Sequence, residues 1–267
     1  MPSKEKGSCP IVLSIAGYDP SSGAGITADI KTIAAHRCYA VTCLTALTVQ
    51  STQGVRRAEA VDARIITEIL EDLISDFSIS AVKVGMLGSA GAVRAVAGFL
   101  RRNQMRHVVF DPVLRSSSGM ELLSLEGIEL LQNRFLSLTD VITPNIDEAS
   151  VLTGLPVTTA EEMPAAAMRL HEMGAKNVII TGGHLPEPTD MLSSDAGGKV
   201  KFFKGTRFEG RTTHGTGCAF SAAIACNLAK RKNLSDSTAA AKHYVFMALK
   251  NAKAIGKGRG PIEHLYR

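Results

Sequence analysis

The chain has 267 residues, of which 45% are hydrophobic and 21% are charged, and its formal net charge is +5. This composition is typical of a globular domain, and the mild excess of positive charge suits an anionic small substrate such as a nucleotide. Nucleic-acid binding is disfavoured, because aromatic residues make up only 5% of the chain and no dense basic run occurs. No apolar stretch approaches the length that crosses a membrane.

The five cysteines have an odd count and form no Cys-x-x-Cys pair, which argues against a disulfide framework and against a zinc site. A reducing cytoplasm is therefore the expected location. Residues 1–10 are predicted to be a loosely held or disordered tail. Residues 11–267 contain no linker, repeat or low-complexity segment, so we expect them to form one domain.

Short apolar runs alternate with helical patterns along the chain. In chain order these patterns predict a strand at 11–16, a helix at 26–35, a strand at 41–47, a helix at 63–77, a strand at 81–84, a helix at 90–102, strands at 107–110, 140–142 and 177–180, two antiparallel strands within 190–207, and helices at 217–230 and 235–255. The alternation predicts an α/β fold whose mostly parallel sheet is covered on both faces. Ligands of such sheets collect beyond the carboxyl ends of the strands.

The first of these strand ends is the glycine-rich loop 17–25. It lacks the Gly-Lys-Ser/Thr of a phosphate-binding loop, so it could hold a phosphate or be only a tight turn into a helix. Asp29, on the following helix, could accept hydrogen bonds from a substrate or be a solvent-facing charge. Gln50 ends the second strand, and its amide could meet the edge of a heterocycle or cap the strand.

Three later strand ends also carry candidate ligands. Asp111 precedes a proline and could contact a magnesium ion or begin a turn. Asn145 and Glu148 have the spacing of a helix cap, and the same pair could hold Mg²⁺ through water. The glycines of Thr181-Gly182-Gly183-His184 allow a nucleotide to approach closely, whereas His184 is more often a loop residue than a catalyst.

The most informative segment is Thr212-Thr213-His214-Gly215-Thr216-Gly217-Cys218, which leads directly into an apolar helix. The free amides and the dipole of such a helix start form an anion site. Cys218 lies on the first turn, where we expect its thiol to lose a proton more easily than usual. It could be a buried helix cysteine, a nucleophile with His214, or a general base. No Asn or Asp partner is evident for the nucleophile, and the anion site favours the base.

Together these segments resemble the hydroxymethylpyrimidine/phosphomethylpyrimidine kinases of thiamine biosynthesis, members of the ribokinase-like superfamily. The resemblance covers nearly the whole chain, from Ile11 to the tail at 256–261. It rests on the segments 16–25, Asp29, 45–50, 83–87, 111–113, 118–119, 143–148, 182–184 and 214–218. No single segment is decisive, but all of them in this order are highly specific. The implied fold is a three-layer α-β-α sandwich.

The resemblance implies ATP-dependent phosphorylation of 4-amino-5-hydroxymethyl-2-methylpyrimidine and then of its monophosphate. By position it assigns the pyrimidine pocket to Gly17, Asp29, Gln50, Met86 and Val113. It assigns the anion hole to Gly215, Thr216 and Gly217, with Cys218 as the base, and the nucleotide phosphates to Asn145, Glu148, Thr181 and Gly183. It also implies Mg²⁺ held through water by Asp111 and Glu148, leaves a monovalent cation open, and favours a homodimer. The resemblance thus implies that the glycine-rich loop 17–25 binds the pyrimidine substrate and not the phosphates of ATP.

Three residues depart from the family pattern, and two other functions compete with this one. Tyr18 replaces a small residue, Thr181 stands where many members have lysine, and Met120 stands where aspartate is common. Many ribokinase-like relatives carry aspartate in place of Cys218.

The competing functions are a pyridoxal/pyridoxine kinase of the same superfamily and a pyrimidine-binding sensor without catalysis.

Overall fold

The computed structural model describes residues 9–116, 118–208, 210 and 212–266. Its strands are β1 (Ile11–Tyr18), β2 (Tyr39–Ser51), β3 (Gly54–Ala60), β4 (Ile79–Val84), β5 (Val108–Phe110), β6 (Val141–Ile142), β7 (Val178–Ile180), β8 (Thr189–Ser194) and β9 (Lys199–Lys204). Its α-helices are α1 (Gly25–Ala35), α2 (Ala63–Asp76), α3 (Ala90–Asn103), α4 (Leu125–Leu130), α5 (Ile146–Thr153), α6 (Met163–Glu172), α7 (Thr216–Ala229) and α8 (Leu234–Lys250). Most of the predicted tail, residues 1–8, lies outside the described residues.

All of these strands belong to one sheet in the order β3-β2-β1-β4-β5-β6-β7-β8-β9. The six strands from β2 to β7 pair in parallel, whereas β3 at one edge and β8 and β9 at the other are antiparallel. The predicted mostly parallel sheet is therefore confirmed. Because one sheet includes strands from both halves of the chain, we propose that residues 11–267 form a single domain.

Each face of the sheet carries its own hydrophobic core. Leu13 and Ile15 of β1 point to the face covered by α2 to α6, and Val12 points to the face covered by α1, α7 and α8. This pattern explains why β1 is a continuous apolar run, since a parallel strand covered on both sides has no polar face. The predicted three-layer arrangement is confirmed.

The helix α7 is apolar on nearly all sides and lies in the middle of its layer. Ten consecutive residues, from Ala219 to Leu228, are buried. A helix with so little polar surface must be enclosed by other elements, and α7 packs between the sheet and the neighbouring helices α1 and α8. Its amino-terminal end is thereby fixed at the carboxyl edge of the parallel strands.

Two elements differ from the sequence prediction. The strand β2 continues to Ser51 and forms a hairpin with β3, a strand that was not predicted because Gly-Val-Arg-Arg-Ala-Glu-Ala has no apolar run. The last helix ends at Lys250, five residues before the predicted end, and the chain then turns back toward β2. No helix among the described residues is long and apolar enough to cross a membrane.

Candidate active site

A cavity of about 1550 Å³ lies at the carboxyl edge of the parallel strands. Thirteen of the fourteen predicted site residues line it, namely Gly17, Gln50, Met86, Asp111, Val113, Asn145, Glu148, Thr181, Gly183, Gly215, Thr216, Gly217 and Cys218. These residues come from loops that are far apart in the sequence. They meet because parallel strands end at the same edge of the sheet.

The amino terminus of α7 forms one wall of this cavity. The N-cap residue of α7 is Gly215, which has no side chain to cap the helix, so the first amides face the cavity and could bind an anion there. Gly215 precedes the helix with φ of 86°, in the left-handed region. A Cβ atom on Gly215 would lie 1.7 Å from the carbonyl oxygen of Gly23, so only glycine fits against the first loop here.

Cys218 lies on the first turn of α7 and faces the cavity. Burial raises the pKa of its thiol to about 12, and the nearby carboxylates of Asp111 and Asp29 act in the same direction. The positive charge of Lys83 and the amide of Gly25 oppose this shift. The expectation that this thiol loses its proton easily was wrong, because desolvation and the neighbouring carboxylates outweigh the helix terminus.

A buried ion pair lies beneath the cavity. The Nζ of Lys83 on β4 is 2.8 Å from Oδ2 of Asp29 on α1, and both side chains are fully buried. Ser14 Oγ donates to the same Oδ2 at 2.6 Å. Burial raises the pKa of Asp29, whereas Lys83 and Ser14 oppose that change.

The prediction that Asp29 lines the pocket is therefore corrected, because α1 turns this residue into the protein and away from the cavity surface. The alternative of a solvent-facing charge was equally wrong. No role had been predicted for Lys83. Its signal is a lysine inside the apolar strand Ile79–Val84, since a buried ammonium group requires a buried partner.

Two carboxylates with raised pKa lie near the helix α5. Asn145 and Glu148 form a reciprocal capping box, with both hydrogen bonds at 2.9 Å, so the capping interpretation of this pair holds. Burial and then the charge of Asp111 hold the pKa of Glu148 well above its usual range. Burial also raises the pKa of Asp111, although Lys83 opposes the shift. Two partly desolvated carboxylates of like charge form an environment that a divalent cation would stabilise.

These two carboxylates do not form a complete protein-only metal site. Among the described residues, no three His, Cys, Asp or Glu side chains come together as metal ligands. Mg²⁺ usually keeps several waters and binds one or two carboxylates together with substrate phosphates, so two side chains suffice for it.

The other end of the cavity has an apolar wall and a polar rim. Met86 packs with Ala46 and Leu122, and a Cβ atom on Gly17 would lie 2.8 Å from the sulfur of Met86. The amide nitrogen of Gln50 is 3.1 Å from Nε2 of His214. A flat ring could lie between this apolar wall and the amide.

A second group of lining residues was not predicted from the sequence. It contains the apolar side chains of Phe208, Phe220, Val245, Phe246 and Leu249 and the cations Lys204, Arg207 and Lys242. The signal on α8 is the helical spacing of Lys242, Phe246 and Leu249, which places them on one face. Phe208 lies in an irregular segment where no periodicity could have revealed it.

Lys242 also supports the strand end at Thr181. Its Nζ is 2.7 Å from Oδ2 of Asp190, and Oδ1 of that carboxylate accepts a hydrogen bond from the amide of Gly182 at 3.1 Å. The carboxylate thus links α8 to the glycine pair beside the cavity.

Comparison with known proteins identifies relatives of this chain. A family model for phosphomethylpyrimidine kinase matches residues 19–263. The hydroxymethylpyrimidine/phosphomethylpyrimidine kinase of Aquifex aeolicus is 40% identical over 248 residues, 93% of this chain and 97% of the relative. A thiamine biosynthesis bifunctional protein of Geobacter sulfurreducens is 40% identical over 95% of this chain, which spans 52% of that protein. The ADP complex of Bacillus subtilis pyridoxal kinase superposes with a TM-score of 0.88 at 31% identity, covering 96% and 98% of the two chains.

Proposed function

Since this chain belongs to the phosphomethylpyrimidine kinase family, we propose in detail how its cavity performs the reaction. The chain is a kinase of hydroxymethylpyrimidine and its monophosphate, and the reaction belongs to thiamine biosynthesis. The proposed acceptor is the hydroxymethyl oxygen of 4-amino-5-hydroxymethyl-2-methylpyrimidine in the first step and the phosphate of its monophosphate in the second. ATP is the phosphoryl donor.

The observation that carries this proposal is the continuity of the cavity. It runs from the apolar wall at Gly17 and Met86 to the amino terminus of α7, where the sulfur of Cys218 accepts a hydrogen bond from the amide of Gly25 in the first loop. An acceptor ring at one end would present its hydroxyl to a phosphoryl group at the other. Positioning of this kind and stabilisation of charge supply most of the catalysis in phosphoryl transfer.

In this proposal Gly17, Gln50, Met86 and Val113 contact the acceptor ring. The amide nitrogen of Gln50 lies 3.1 Å from Nε2 of His214, which places the Gln50 amide at the edge of the pocket, where it would meet the acceptor ring. Asp29 acts from below the surface, through the ion pair with Lys83, and does not touch the ring.

Cys218 is the proposed base. As the new P–O bond forms at the acceptor oxygen and the γ-phosphoryl group leaves ADP, the hydroxyl proton moves to the thiolate sulfur. Gly215, Thr216 and Gly217 stabilise the negative charge that develops on the transferred group through the amides of α7. Since the pKa of Cys218 is raised to about 12, only a small fraction of the resting enzyme carries the thiolate at neutral pH.

The nucleotide lies at the end of the cavity that α8 closes. The apolar side chains around Phe246 suit a purine ring, and Asn145, Thr181 and Gly183 face its phosphates. Asp111 and Glu148 fit Mg²⁺ held through water, because a divalent cation would offset their mutual repulsion. When bound, Mg²⁺ neutralises charge on the nucleotide phosphates. A contribution from a monovalent cation stays open.

We further propose that the protein is a cytoplasmic homodimer. All five cysteines are free thiols, which suits a reducing compartment. Leu47 and Val49 of the β2–β3 hairpin are 51% and 37% exposed, and they form an apolar surface beside the edge strand β3. Leu47→Lys should halve the mass measured by light scattering. A variant that is still a dimer would show that Leu47 does not belong to the dimer interface.

The experiment that tests the function is product analysis. Purified protein is incubated with ATP, Mg²⁺ and hydroxymethylpyrimidine, and mass spectrometry resolves the singly and doubly phosphorylated pyrimidines. We expect both products in sequence. Formation of ADP without a phosphorylated pyrimidine would contradict the proposal, and Cys218→Ala is the control for a contaminating kinase.

Pyridoxal is the second candidate acceptor, because the chain superposes on a pyridoxal kinase over nearly its whole length. The apolar wall and the Gln50 amide could also receive a pyridine ring. The values of kcat/KM for the two acceptors, measured on one preparation, decide between them. We expect hydroxymethylpyrimidine to have the higher value.

A further inference from the structure

One pair of side chains connects the first glycine loop to the anion hole. Nε2 of His214 lies 2.8 Å from Oδ2 of Asp19, and the two side chains are only 10% and 4% exposed. His214 directly precedes Gly215, and Asp19 lies two residues after Gly17. The pair therefore joins segments that are 195 residues apart in the sequence.

Asp19 also organises its own loop. Its carboxylate accepts hydrogen bonds from the amide and hydroxyl of Ser21 at 2.8 and 2.7 Å, and from the amides of Gly23 and Ala24 at 3.2 and 2.8 Å. Burial alone would raise the pKa of Asp19, but the hydrogen bonds from His214 and Ser21 outweigh it and lower the pKa. The ionised carboxylate is thus the fixed centre of the loop.

The backbones of the two segments also touch beneath this pair. A Cβ atom on Gly23 would lie 2.3 Å from Cδ2 of His214, and the Gly23 carbonyl oxygen occupies the space beside Gly215. The His214 amide donates to the carbonyl of Gly260 at 3.1 Å, so the tail holds the histidine from the other side. Small shifts at His214 would consequently move both the loop and the amides of α7.

We propose that Asp19 and His214 are positioning residues that hold the substrate loop against the anion hole, so that the acceptor oxygen lines up with the transferred phosphoryl group. This inference rests on the proposed function, because it assigns the acceptor to the loop and the phosphoryl group to the amides. Neither residue touches the reacting atoms. Their effect is on the distance and angle between the two groups that do.

The kinetic test compares His214→Ala, His214→Gln and Asp19→Asn with the wild type. A misplacement of about 1 Å can cost on the order of 100-fold in rate, so His214→Ala should lower kcat about 10- to 100-fold. The Kd values for pyrimidine and ATP, measured by calorimetry, should stay within about threefold. His214→Gln keeps an N–H donor of similar reach and should recover most of kcat.

The double variant Asp19→Asn/His214→Ala gives a second measure. If the residues act as one unit, its loss of kcat should equal that of the worse single variant. Multiplicative losses would overturn the proposal, as would an unchanged kcat in His214→Ala or a loss of binding equal to the loss of rate.

Hydrogen exchange provides a readout that needs no substrate. In His214→Ala, the amides of residues 19–25 and 213–217 should exchange about tenfold faster, while the rest of the chain is unchanged. The matched control is His171→Ala, which removes a half-buried histidine that lies away from the cavity. The ring nitrogens of His171 are 2.7 Å from the Ala175 carbonyl oxygen and 2.9 Å from Ser193 Oγ, so this variant also loses two hydrogen bonds. It should leave kcat and both segments unchanged.

Failure of the proposed function is visible separately, as a wild type that forms no phosphorylated pyrimidine. If the amides of residues 19–25 and 213–217 exchange no faster in His214→Ala than in the wild type, the positioning role is overturned, even if the wild type is active.

Discussion

The two ends of the cavity are built differently. At the acceptor end, charged and polar side chains are buried and paired with one another, as in Lys83–Asp29 and Asp19–His214. At the nucleotide end Lys242 is also paired, with the buried Asp190, but Lys204 and Arg207 are exposed. The difference indicates that the geometry of the acceptor is fixed before any ligand binds, whereas the nucleotide end supplies affinity through surface groups. Substitutions at the first end should therefore change kcat or stability, and those at the second should change KM.

The largest effect should follow from loss of the sulfur at the junction of the two ends. Cys218→Ala should lower kcat by about 100- to 10,000-fold, the range that general-base catalysis supplies, because the proposed acceptor of the hydroxyl proton is then missing. Pyrimidine affinity measured by calorimetry should stay nearly unchanged. Turnover at the wild-type level would remove Cys218 from the mechanism.

The pH dependence of kcat should follow the ionisation of the Cys218 thiol. Because the thiol pKa is about 12, the thiolate fraction rises about tenfold per pH unit below that value, and kcat should rise about 100-fold from pH 7 to pH 9. The comparison variant is Cys218→Ala, which has no ionisable group at position 218, so its residual activity should not show this rise. A wild-type profile that levels off near pH 7 would contradict this account.

The buried pair at the acceptor end should contribute most to stability. Lys83→Met leaves the Asp29 carboxylate buried without its counter-ion, and loss of one partner of such a pair costs about 3–5 kcal/mol of unfolding free energy. Urea denaturation measures this value. The double variant Lys83→Met/Asp29→Asn should recover part of it, because no unpaired charge then remains. Equal losses in both variants would show that packing, and not charge, is responsible.

A substitution at the nucleotide end should have a different signature. Phe246→Ala removes apolar surface from the cavity wall on α8 and should raise KM for ATP about tenfold, equivalent to about 1.4 kcal/mol of lost contact. The value of kcat at saturating ATP should stay within about twofold. A fall in kcat with unchanged KM would place Phe246 at the acceptor and would break the proposed division.

The smallest effect should come from an ion pair outside both ends. Arg102 and Glu71 are 3.1 Å apart on the exposed faces of α3 and α2, and both side chains are more than half exposed. Arg102→Ala should change the unfolding free energy by less than about 1 kcal/mol and leave both kinetic constants unchanged. A larger loss of unfolding free energy would mean that the exposure of an ion pair does not predict how much it contributes to the stability of this protein.

The local sequence determined most of the fold. Buried runs such as that of β1, and capping residues such as Asp62 and Ser89 ahead of α2 and α3, act within a few residues, so these elements begin where they were predicted. The strand β3 was missed because it is polar and depends on pairing with β2. The gathering of most predicted site residues at one cavity was also foreseeable, since parallel strands end together.

Only the tertiary structure decided the charges of the site. The packing of α1 against β1 buries Asp29 opposite Lys83 of the neighbouring strand β4, and folding brings the carboxylates of Asp111 and Asp29 near Cys218. A helix start predicts an acidic thiol from local dipoles, yet the pKa depends on desolvation and on charges that arrive from distant parts of the chain. Sequence periodicity records which face of an element is buried. It does not record which charged group will share that buried space, because that depends on contacts between residues far apart in the sequence.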